Sequence, residues 1–282
     1  YDDTWSNHLN QMDLLRQGAL PVALRDLVAV GDGAWFEDEG RSQIVIHSFY
    51  EACVVNQMAL IGGETPALRA LVRSLEPVEG APVFACATLG IIAPLEREIV
   101  PRLYPNAQIV GVTSSGPHAN GYSLLIKRGL ALPSQFFYPI HGGGQTFGEA
   151  ALVPTRSYVR LMEAIFAADI PLLAVVPATG GGLGKLAAGR EPFTYVIERW
   201  PNAIPPIFPF LLEIGVSIEE CLSTFNWGIG LYLIIDEARV DHLLKVGSSV
   251  GYELHHLGHV EDGERKVVFE PEGGIELPPP GE

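Results

Sequence analysis

A strand that runs directly into a polar turn and then a helix constrains this chain most. Residues 107–115, AQIVGVTSS, have the nearly continuous apolar character of a buried strand, and YSLLIKRGL follows as a helix. Between them stand the hydroxyls of Ser114 and Ser115, the imidazole of His118 and the carboxamide of Asn120. Backbone N–H groups at a helix start attract anions, so the pattern predicts an anion-binding turn in which His118 can act as an acid or base. The alternative is that Ser115 only caps the helix and His118 lies on the surface.

A second strand ends in a similar way at ATGGGLGK, residues 178–185. Thr179 is followed by Gly180, Gly181 and Gly182, and a run of glycines lets the backbone approach a phosphate closely. The spacing differs from that of a P-loop. A plain turn explains the segment equally well.

Arg156 stands where a cation is unfavourable. The segment VPTRSYV, residues 153–159, predicts a helix start with Thr155 just before Arg156, and the N-terminal end of a helix is its positive end. Arg156 therefore either forms an ion pair elsewhere or binds an anion. Asn226 precedes a buried strand in STFNWGIG, which indicates a tight turn.

Three carboxylates interrupt apolar segments. Asp13 lies on an apolar helix face, Asp26 in the middle of an apolar run, and Glu64 after two glycines in IGGET. A carboxylate in such surroundings is either paired or functional, although a solvated position is the alternative for Glu64. Carboxylates are the usual ligands of Mg²⁺, so Asp13 and Glu64, if their side chains turn inward, could hold Mg²⁺ or another cation.

The order of predicted elements divides the chain into two domains. The first part alternates helices and strands as in an α+β domain, and a second run of alternating strands and helices predicts an α/β domain. The segment 131–147, rich in Pro, Gly and aromatic residues, is the predicted junction or an ordered crossing loop. The predicted domains are therefore 1–146 and 147–282, with a frayed tail from about 271.

Charge and composition exclude several classes of partner. A formal net charge of -15 argues against binding to nucleic acid or to an anionic membrane, because both require a basic face. No apolar run reaches the length of a membrane helix. Cys53, Cys86 and Cys221 form neither a disulfide framework nor a zinc spacing, so we expect a cytoplasmic protein. The chain opens at Tyr1 without a Met, and we expect further sequence to precede it.

Seven short segments then occur in a fixed order: LLRQGALPV, GGET, SSGPHANGYSL, PTRSYV, TGGGL, PPIFPFLLEIG and TFNWGIG. Together they resemble the aminoimidazole ribonucleotide synthetase family, also called phosphoribosylformylglycinamidine cyclo-ligase, from about residue 13 to about residue 270. The resemblance implies an N-terminal α+β domain whose four-stranded sheet pairs with that of a second subunit, and a C-terminal α/β domain. It also implies ATP and Mg²⁺, which the family uses to phosphorylate an amide oxygen before a neighbouring amine closes the imidazole ring and expels phosphate.

A homodimer is expected from the sequence itself as well. VALRDLVAV and PVFACATLGII are more apolar than a sheet with one covered face requires, so the open face should be buried by a second chain.

The resemblance implies site residues position by position. Asp13 falls on the Asp of the family's Val-Asn-Asp motif, associated with metal and nucleotide binding, and Glu64 on the Glu of Gly-Gly-Glu-Thr. His118 is the predicted catalytic residue, placed at a ligand mouth with little core packing. The implied substrate- and nucleotide-binding residues are Ser114, Ser115, Asn120, Thr155, Arg156, Thr179, Gly180, Gly181 and Gly182.

Departures from the family pattern leave the substrate open. The Asp-Gly-Val-Gly-Thr-Lys loop of the family does not occur in this sequence, and Met12 replaces an Asn. Pro177 stands at a family His, and Leu186 and Gly189 at a family Asn and Arg. The leading hypothesis is ATP-dependent closure of formylglycinamidine ribonucleotide to aminoimidazole ribonucleotide. The alternatives are an ATP-using paralogue that acts on another amide or acid, and a non-catalytic homologue that binds a nucleotide or a partner protein.

Overall fold

The computed structural model describes residues 11–73, 82–141 and 144–281, and its strands form two sheets. The smaller sheet has the order β2-β1-β3, and the seven-stranded sheet has the order β10-β9-β6-β8-β4-β7-β5. The strands are β1 (Leu20–Ala29), β2 (Ala59–Glu64), β3 (Val83–Ile91), β4 (Gln108–Thr113), β5 (Ala174–Pro177), β6 (Phe193–Ile197), β7 (Ile229–Ile235), β8 (Leu254–Asp262), β9 (Lys266–Phe269) and β10 (Ile275–Leu277). The main helices are α1 (Glu39–Val55), α2 (Tyr122–Leu130), α3 (Phe147–Ala151), α4 (Val159–Ala167), α5 (Ile207–Glu213), α6 (Ile218–Thr224) and α7 (Val240–Ser249).

The helix that carries Asp13 is described from residue 11 onward. Its described part is helical over 11–15. A Gly18 with a φ of 80° then ends it, because glycine adopts this conformation without strain.

Helix α1 covers one face of the smaller sheet. The side chain of Asp38 accepts a hydrogen bond from the backbone N–H of Arg41 at 3.0 Å and so caps the helix. Apolar residues then recur at helical spacing and face the sheet. The cluster they form with β1 comprises Leu24, Val28, Val45, Phe49, Cys53 and Met58.

The other face of the smaller sheet is apolar and open. Val83, Leu89 and Ile91 of β3 are 52%, 56% and 55% exposed. A helical layer covers only one face of β3, so its other face is open in a single chain. Within the described residues this sheet has three strands, one fewer than the four that the resemblance implies.

Helices cover both faces of the larger sheet, and β4 lies inside it between β7 and β8. Successive side chains of a strand point to opposite faces, so Ile109 joins one apolar cluster whereas Val110 and Val112 join the other. The first cluster includes residues of α2, α3, α5 and α6, and the second includes residues of α4 and α7. The predicted class, α+β combined with α/β, is confirmed.

The chain passes from one sheet to the other between Ile91 and Gln108, upstream of the boundary predicted at 146. The apolar pattern of β4 identifies a strand without specifying which sheet it joins, and both of its partners come from the C-terminal half. The described part of 131–147 is an ordered crossing loop. Phe136 within it stacks on Phe147 of α3, with ring centroids 6.3 Å apart.

The C-terminal tail is packed, so the prediction of fraying is wrong. Strand β10 pairs antiparallel with β9, with Ile275 opposite Phe269. Leu277 and Pro279 are buried. Prolines have no backbone N–H to satisfy and lose little chain entropy on ordering, so a proline run can pack beside a sheet.

No helix in the described part of the chain is long and apolar enough to cross a membrane. The three cysteines are free thiols. Burial raises the pKa of Cys86 to about 11 and that of Cys221 to about 12. Both thiols are therefore protonated near neutral pH, the form in which cysteine is a poor nucleophile.

Candidate functional site

Strand directions bring three sequence motifs to one edge of the larger sheet. Strands β4 and β5 are both antiparallel to β7, and their last residues, Thr113 and Pro177, lie opposite the first residues of β7. The loops that leave β4 and β5 therefore stand beside the loop that enters β7. We call the loop at 114–121 the polar turn and the loop at 179–184 the glycine turn, and the segment that enters β7 is 223–228.

Asn226 ties the polar turn to the start of β7. Its Oδ1 accepts hydrogen bonds from the hydroxyl of Ser114 and from the backbone N–H of Gly228, each at 2.9 Å. Its Nδ2 donates to the carbonyl of Gly116 at 2.8 Å. The side chain is 1% exposed, and buried polar groups that are fully bonded fix one local conformation. Asn226 is therefore a positioning residue of the polar turn.

Ser115 joins the polar turn to the segment before α4. Its hydroxyl donates to the carbonyl of Pro154 at 2.6 Å and accepts from the backbone N–H of Arg156 at 3.1 Å. Helix α2 begins at Tyr122 after Gly121, so the alternative in which Ser115 caps this helix is wrong. Thr155 is 3% exposed, which places it in the interior rather than on a ligand surface.

The guanidinium of Arg156 is surrounded by neutral groups. It lies over the ring of Tyr252, 4.3 Å from the centroid. It donates to the carbonyl of Gly251 at 2.6 Å and to the hydroxyl of Thr113 at 3.4 Å. Among the described residues no carboxylate lies within ion-pair distance of it. Arg156 therefore has no ion pair among the described residues, and anion binding by it stays a prediction.

The uncharged ring of Tyr252 is the surface on which Arg156 stacks. Its hydroxyl donates to the carbonyl of Ser157 at 2.7 Å. Burial raises the pKa of Tyr252, and the nearby positive charge of Arg156 opposes that shift in part. The ring therefore stays uncharged under physiological conditions and presents its face to the cation.

Asn120 brings the polar turn to the glycine turn. A Cβ built at Gly180 would lie 3.7 Å from Oδ1 of Asn120. The Nδ2 of Asn120 is buried and has no hydrogen-bond partner in the described part of the chain. Gly181 and Gly182 have φ values of 99° and 54°, which only glycine adopts easily. Asn120 and the glycine turn thus meet at this edge, and a ligand-binding role for them stays a prediction.

His118 is buried, so its predicted position at an exposed mouth is wrong. The side chain is 0% exposed, and its ring centroid lies 6.2 Å from that of Tyr158. Its Nε2 is 3.5 Å from the hydroxyl of Tyr158. A Cβ at Gly230 would come within 2.4 Å of the imidazole, so β7 closes over the ring. The polar turn folds back onto the sheet, and a catalytic role for His118 stays a prediction.

Asp13 and Glu64 belong to the smaller sheet and do not lie together. Glu64 is opposite Leu27 of β1. Asp13 lies near the other end of β1, because its neighbour Leu14 packs on Gly90, and Gly90 is opposite Pro21. About six residues of β1, roughly 20 Å of strand, separate these positions. Within residues 11–73, 82–141 and 144–281, no three His, Cys, Asp or Glu side chains converge to hold a metal ion. The described residues therefore do not place the two carboxylates in one metal site, and a role of either residue in magnesium binding stays a prediction.

Each of these two carboxylates has an arginine beside it instead. Glu64 lies 3.3 Å from Arg25 and Asp13 lies 3.8 Å from Arg16. Exposed pairs of this kind contribute little to stability.

Asp26 lies on the covered side of the smaller sheet. A Cβ at Gly63 would fall 1.7 Å from its Oδ1, so a larger residue at that position of IGGET would displace the Asp26 carboxylate. Burial raises the pKa of Asp26, and its own backbone N–H and Arg25 oppose the shift.

Three of the family departures, Pro177, Leu186 and Gly189, differ in position. Pro177 is buried at the end of β5, next to the glycine turn. Leu186 is 2% exposed and packs in the apolar cluster below it. Gly189 is exposed. Only Pro177 therefore alters the sheet edge itself.

Sequence reasoning missed Gln11 as well as the positioning role of Asn226. Gln11 is 0% exposed. Its Nε2 donates to the carbonyl of Arg156 at 2.8 Å, and its Oε1 accepts from the backbone N–H of Tyr158. A polar residue whose partners lie 145 and 147 positions away leaves no local pattern. The one signal was a glutamine on an otherwise apolar helix face.

No family model matches the chain, but individual proteins do. The phosphoribosylformylglycinamidine cyclo-ligase of Clostridium botulinum is 31% identical over 258 residues, and that of Clostridium perfringens is 31% identical over 260 residues. These alignments cover 90% and 91% of this chain and 73% of each relative.

Solved structures share the fold at lower identity. A structure of the hydrogenase maturation protein HypE superposes with a TM-score of 0.72 at 18% identity, over 99% of this chain and 83% of that one. A second HypE structure, in complex with ATP, gives a TM-score of 0.72 at 19% identity, over 99% and 79%. A thiamine-monophosphate kinase from Stenotrophomonas maltophilia gives 0.62 at 16% identity, over 93% and 77%.

Proposed function

The chain belongs to the phosphoribosylformylglycinamidine cyclo-ligase family, and we propose that it closes formylglycinamidine ribonucleotide to aminoimidazole ribonucleotide with ATP. In this reaction the γ-phosphoryl group of ATP is transferred to the amide oxygen of the substrate, leaving ADP. A neighbouring nitrogen then attacks the activated carbon, the C–O bond to phosphate breaks, and loss of a proton completes the imidazole ring.

The observation that carries the proposal is the Arg156 guanidinium at the sheet edge, stacked on Tyr252 and free of a carboxylate within the described residues. A permanent cation in such surroundings stabilises phosphate charge. Ser115 fixes the backbone of Arg156, so the guanidinium is held in place before a ligand arrives.

The polar and glycine turns supply neutral donors beside this cation. The buried Nδ2 of Asn120 has no partner among the described residues and is free to donate to a ligand. The backbone of Gly180 is exposed next to it. We propose that these groups orient the substrate, so that the attacking nitrogen and the activated carbon meet in the correct geometry.

Three further features belong to the proposal. Magnesium is expected to arrive bound to the phosphates of ATP, because Asp13 and Glu64 lie apart. A homodimer would bury the open face of the smaller sheet, on which Leu89 is 56% exposed. A cytoplasmic location, as expected from the sequence, accords with these small-molecule substrates.

A paralogue that uses ATP on another amide or acid is the second candidate. The observation that favours it is Pro177, which lies at the sheet edge with no side-chain donor or titratable group. HypE in complex with ATP and the thiamine-monophosphate kinase share the fold, so the fold alone does not select the substrate. A non-catalytic homologue is the third possibility.

The test is to incubate the protein with formylglycinamidine ribonucleotide, ATP and Mg²⁺ and to measure ADP and aminoimidazole ribonucleotide together. The proposal requires equal amounts of both products. Arg156→Met should lower kcat/KM by about 100-fold, while Arg239→Met, an exposed arginine elsewhere, should leave it unchanged. ADP formed only with another amide or acid would support the paralogue, and no ATP turnover or binding would contradict both.

A further inference from the structure

The residues that follow β10 lie across the glycine turn. After β10, residues 278–281 leave the sheet as a short segment that we call the C-terminal strap. A Cβ built at Gly184 would lie 2.6 Å from the carbonyl oxygen of Pro278, and one at Gly181 would lie 2.5 Å from Cγ of Pro280. The strap therefore touches the turn at two glycines, and both positions are closed to any larger residue.

The strap is packed against the turn. Pro279 is buried between its two exposed neighbours. A cavity of about 230 Å³ lies between the strap and the glycine turn, and its lining includes Gly181, Gly184, Ser223 and the residues of the strap. Because prolines restrict φ to one narrow range, the strap is a stiff element rather than a loose end.

The glycine turn is also held from two other directions. A Cβ at Gly180 would face Asn120 of the polar turn at 3.7 Å, and a Cβ at Gly182 would meet the carbonyl oxygen of Leu222, in α6, at 2.0 Å. The strap approaches the turn from a different side than Asn120 and Leu222 do. Gly180, the residue turned toward Asn120, is exposed and remains open to a ligand.

A glycine turn needs such support. Gly181 and Gly182 have positive φ, and glycine loses more backbone entropy on ordering than any other residue. A turn that must present its backbone to a ligand therefore binds more tightly when its surroundings order it in advance. Contacts from the strap supply this ordering without occupying the exposed Gly180.

We propose that the C-terminal strap is a positioning element of the ligand site, which holds the glycine turn in its binding conformation. This inference rests on the proposed function for the identity of the ligand, but its structural part does not depend on any ligand. Removal of the strap should loosen the turn and weaken substrate binding, and it should leave the chemical step nearly unchanged.

Hydrogen exchange without ligand tests the structural part. In a chain truncated after Leu277, the amides of 180–184 should exchange at least about tenfold faster than in the full chain. Pro280→Gly, a milder change, should give a smaller increase at the same amides. Pro271→Ala, at an exposed proline outside the cavity lining, is the control and should change nothing there. Equal exchange rates in the full chain, the truncated chain and Pro280→Gly would overturn the proposal.

Steady-state kinetics test the functional part. Truncation should raise the KM for formylglycinamidine ribonucleotide about five- to tenfold and keep kcat within about twofold, the pattern of lost uniform binding. A purely structural role would lower the melting temperature without this split. A lower KM after truncation would mean that the strap covers the site, and would overturn the proposal. If the full chain shows no turnover, the proposed function fails, and the exchange result alone decides the role of the strap.

Discussion

The hydroxyl of Ser114 donates a 2.9 Å hydrogen bond to the carboxamide oxygen of Asn226, and 112 residues of sequence separate the two. The same carboxamide bonds Gly116 and Gly228. Asn226→Ala should therefore leave several buried polar groups unsatisfied, at about 1–3 kcal/mol each. We expect a fall of at least about 2 kcal/mol in the free energy of unfolding, measured by denaturant titration. Asn202→Ala, at an exposed asparagine, should have no effect, and equal stability of both variants would contradict the positioning role.

Tyr232 and Tyr158 offer a matched pair of buried hydroxyls. The hydroxyl of Tyr232 has no hydrogen-bond partner in the described part of the chain, whereas that of Tyr158 donates to the carbonyl of Thr113 at 3.2 Å. Tyr232→Phe should be neutral or stabilising by about 1 kcal/mol, and Tyr158→Phe destabilising by about 1 kcal/mol. Thermal melts of the two variants beside the parent protein measure the difference. If Tyr232→Phe melted at a lower temperature than Tyr158→Phe, the assignment of an unpaired hydroxyl to Tyr232 would be wrong.

Buried tyrosines predict a loss of stability at alkaline pH. Burial raises the pKa of Tyr195 to about 12 and raises those of Tyr158 and Tyr232 further, whereas an unfolded tyrosine titrates near pH 10. Below pH 10 these tyrosines are neutral in both the folded and the unfolded chain, so their contribution to stability is fully present. Above pH 10 the unfolded chain loses protons that the folded chain keeps, and this stabilises the unfolded chain. The free energy of unfolding should fall by about 1.4 kcal/mol per pH unit for each such tyrosine. Tyr232→Phe should reduce this slope, and a flat profile between pH 10 and 11 would contradict the prediction.

Leu89 tests the proposed dimer. It is 56% exposed on the open face of the smaller sheet, and a lysine there would place a charge inside any apolar interface. Leu89→Lys should convert the dimer to a monomer at micromolar concentration in sedimentation experiments. Ile126→Lys is the control, because Ile126 is similar in size, 48% exposed and on α2 rather than on the smaller sheet. It should leave the dimer intact. A parent protein that sediments as a monomer would remove the dimer from the proposal.

Because His118 is buried, its substitution should affect stability more than substitution of an exposed ligand-site residue would. Its side chain is buried and its φ is 57°, so His118→Ala should lower the free energy of unfolding by about 1–3 kcal/mol. His118→Asn should lose less, because asparagine tolerates this conformation. If His118 is catalytic, both variants should lose about 100-fold or more in kcat. Normal turnover of a folded His118→Asn would assign the residue a structural role.

Local pattern predicted those parts of the molecule that local physics controls. The strand β4, the helix α2 and the glycine turn occur where the sequence placed them, because periodicity and glycine conformations act over a few residues. The fate of His118 was not predictable in this way. Its burial results from the contacts that Gly230 and Tyr158 make with it, and these come from distant parts of the chain.

The same limit applies to the C-terminal tail and to the relative positions of Asp13 and Glu64. Proline and glycine content indicated a frayed tail, but pairing of β10 with β9 and the neighbouring glycine turn order it. Asp13 and Glu64 matched a family motif one by one. Their separation follows from the register of β1 with its two neighbours, which no local pattern specifies.

The central position of β4 has a consequence for synthesis in the cell. Gln108 pairs with Ile235 on one side and with His259 on the other, so both neighbours of this strand are made long after it. At roughly 5–20 residues per second, an apolar strand with two unpaired edges waits on the order of 10 s or more for its partners. Such edges promote association with other nascent chains. Strand β4 therefore stays unpaired until the C-terminal half of the protein has been made. Ribosomes that stall before β8 would release a chain prone to aggregation.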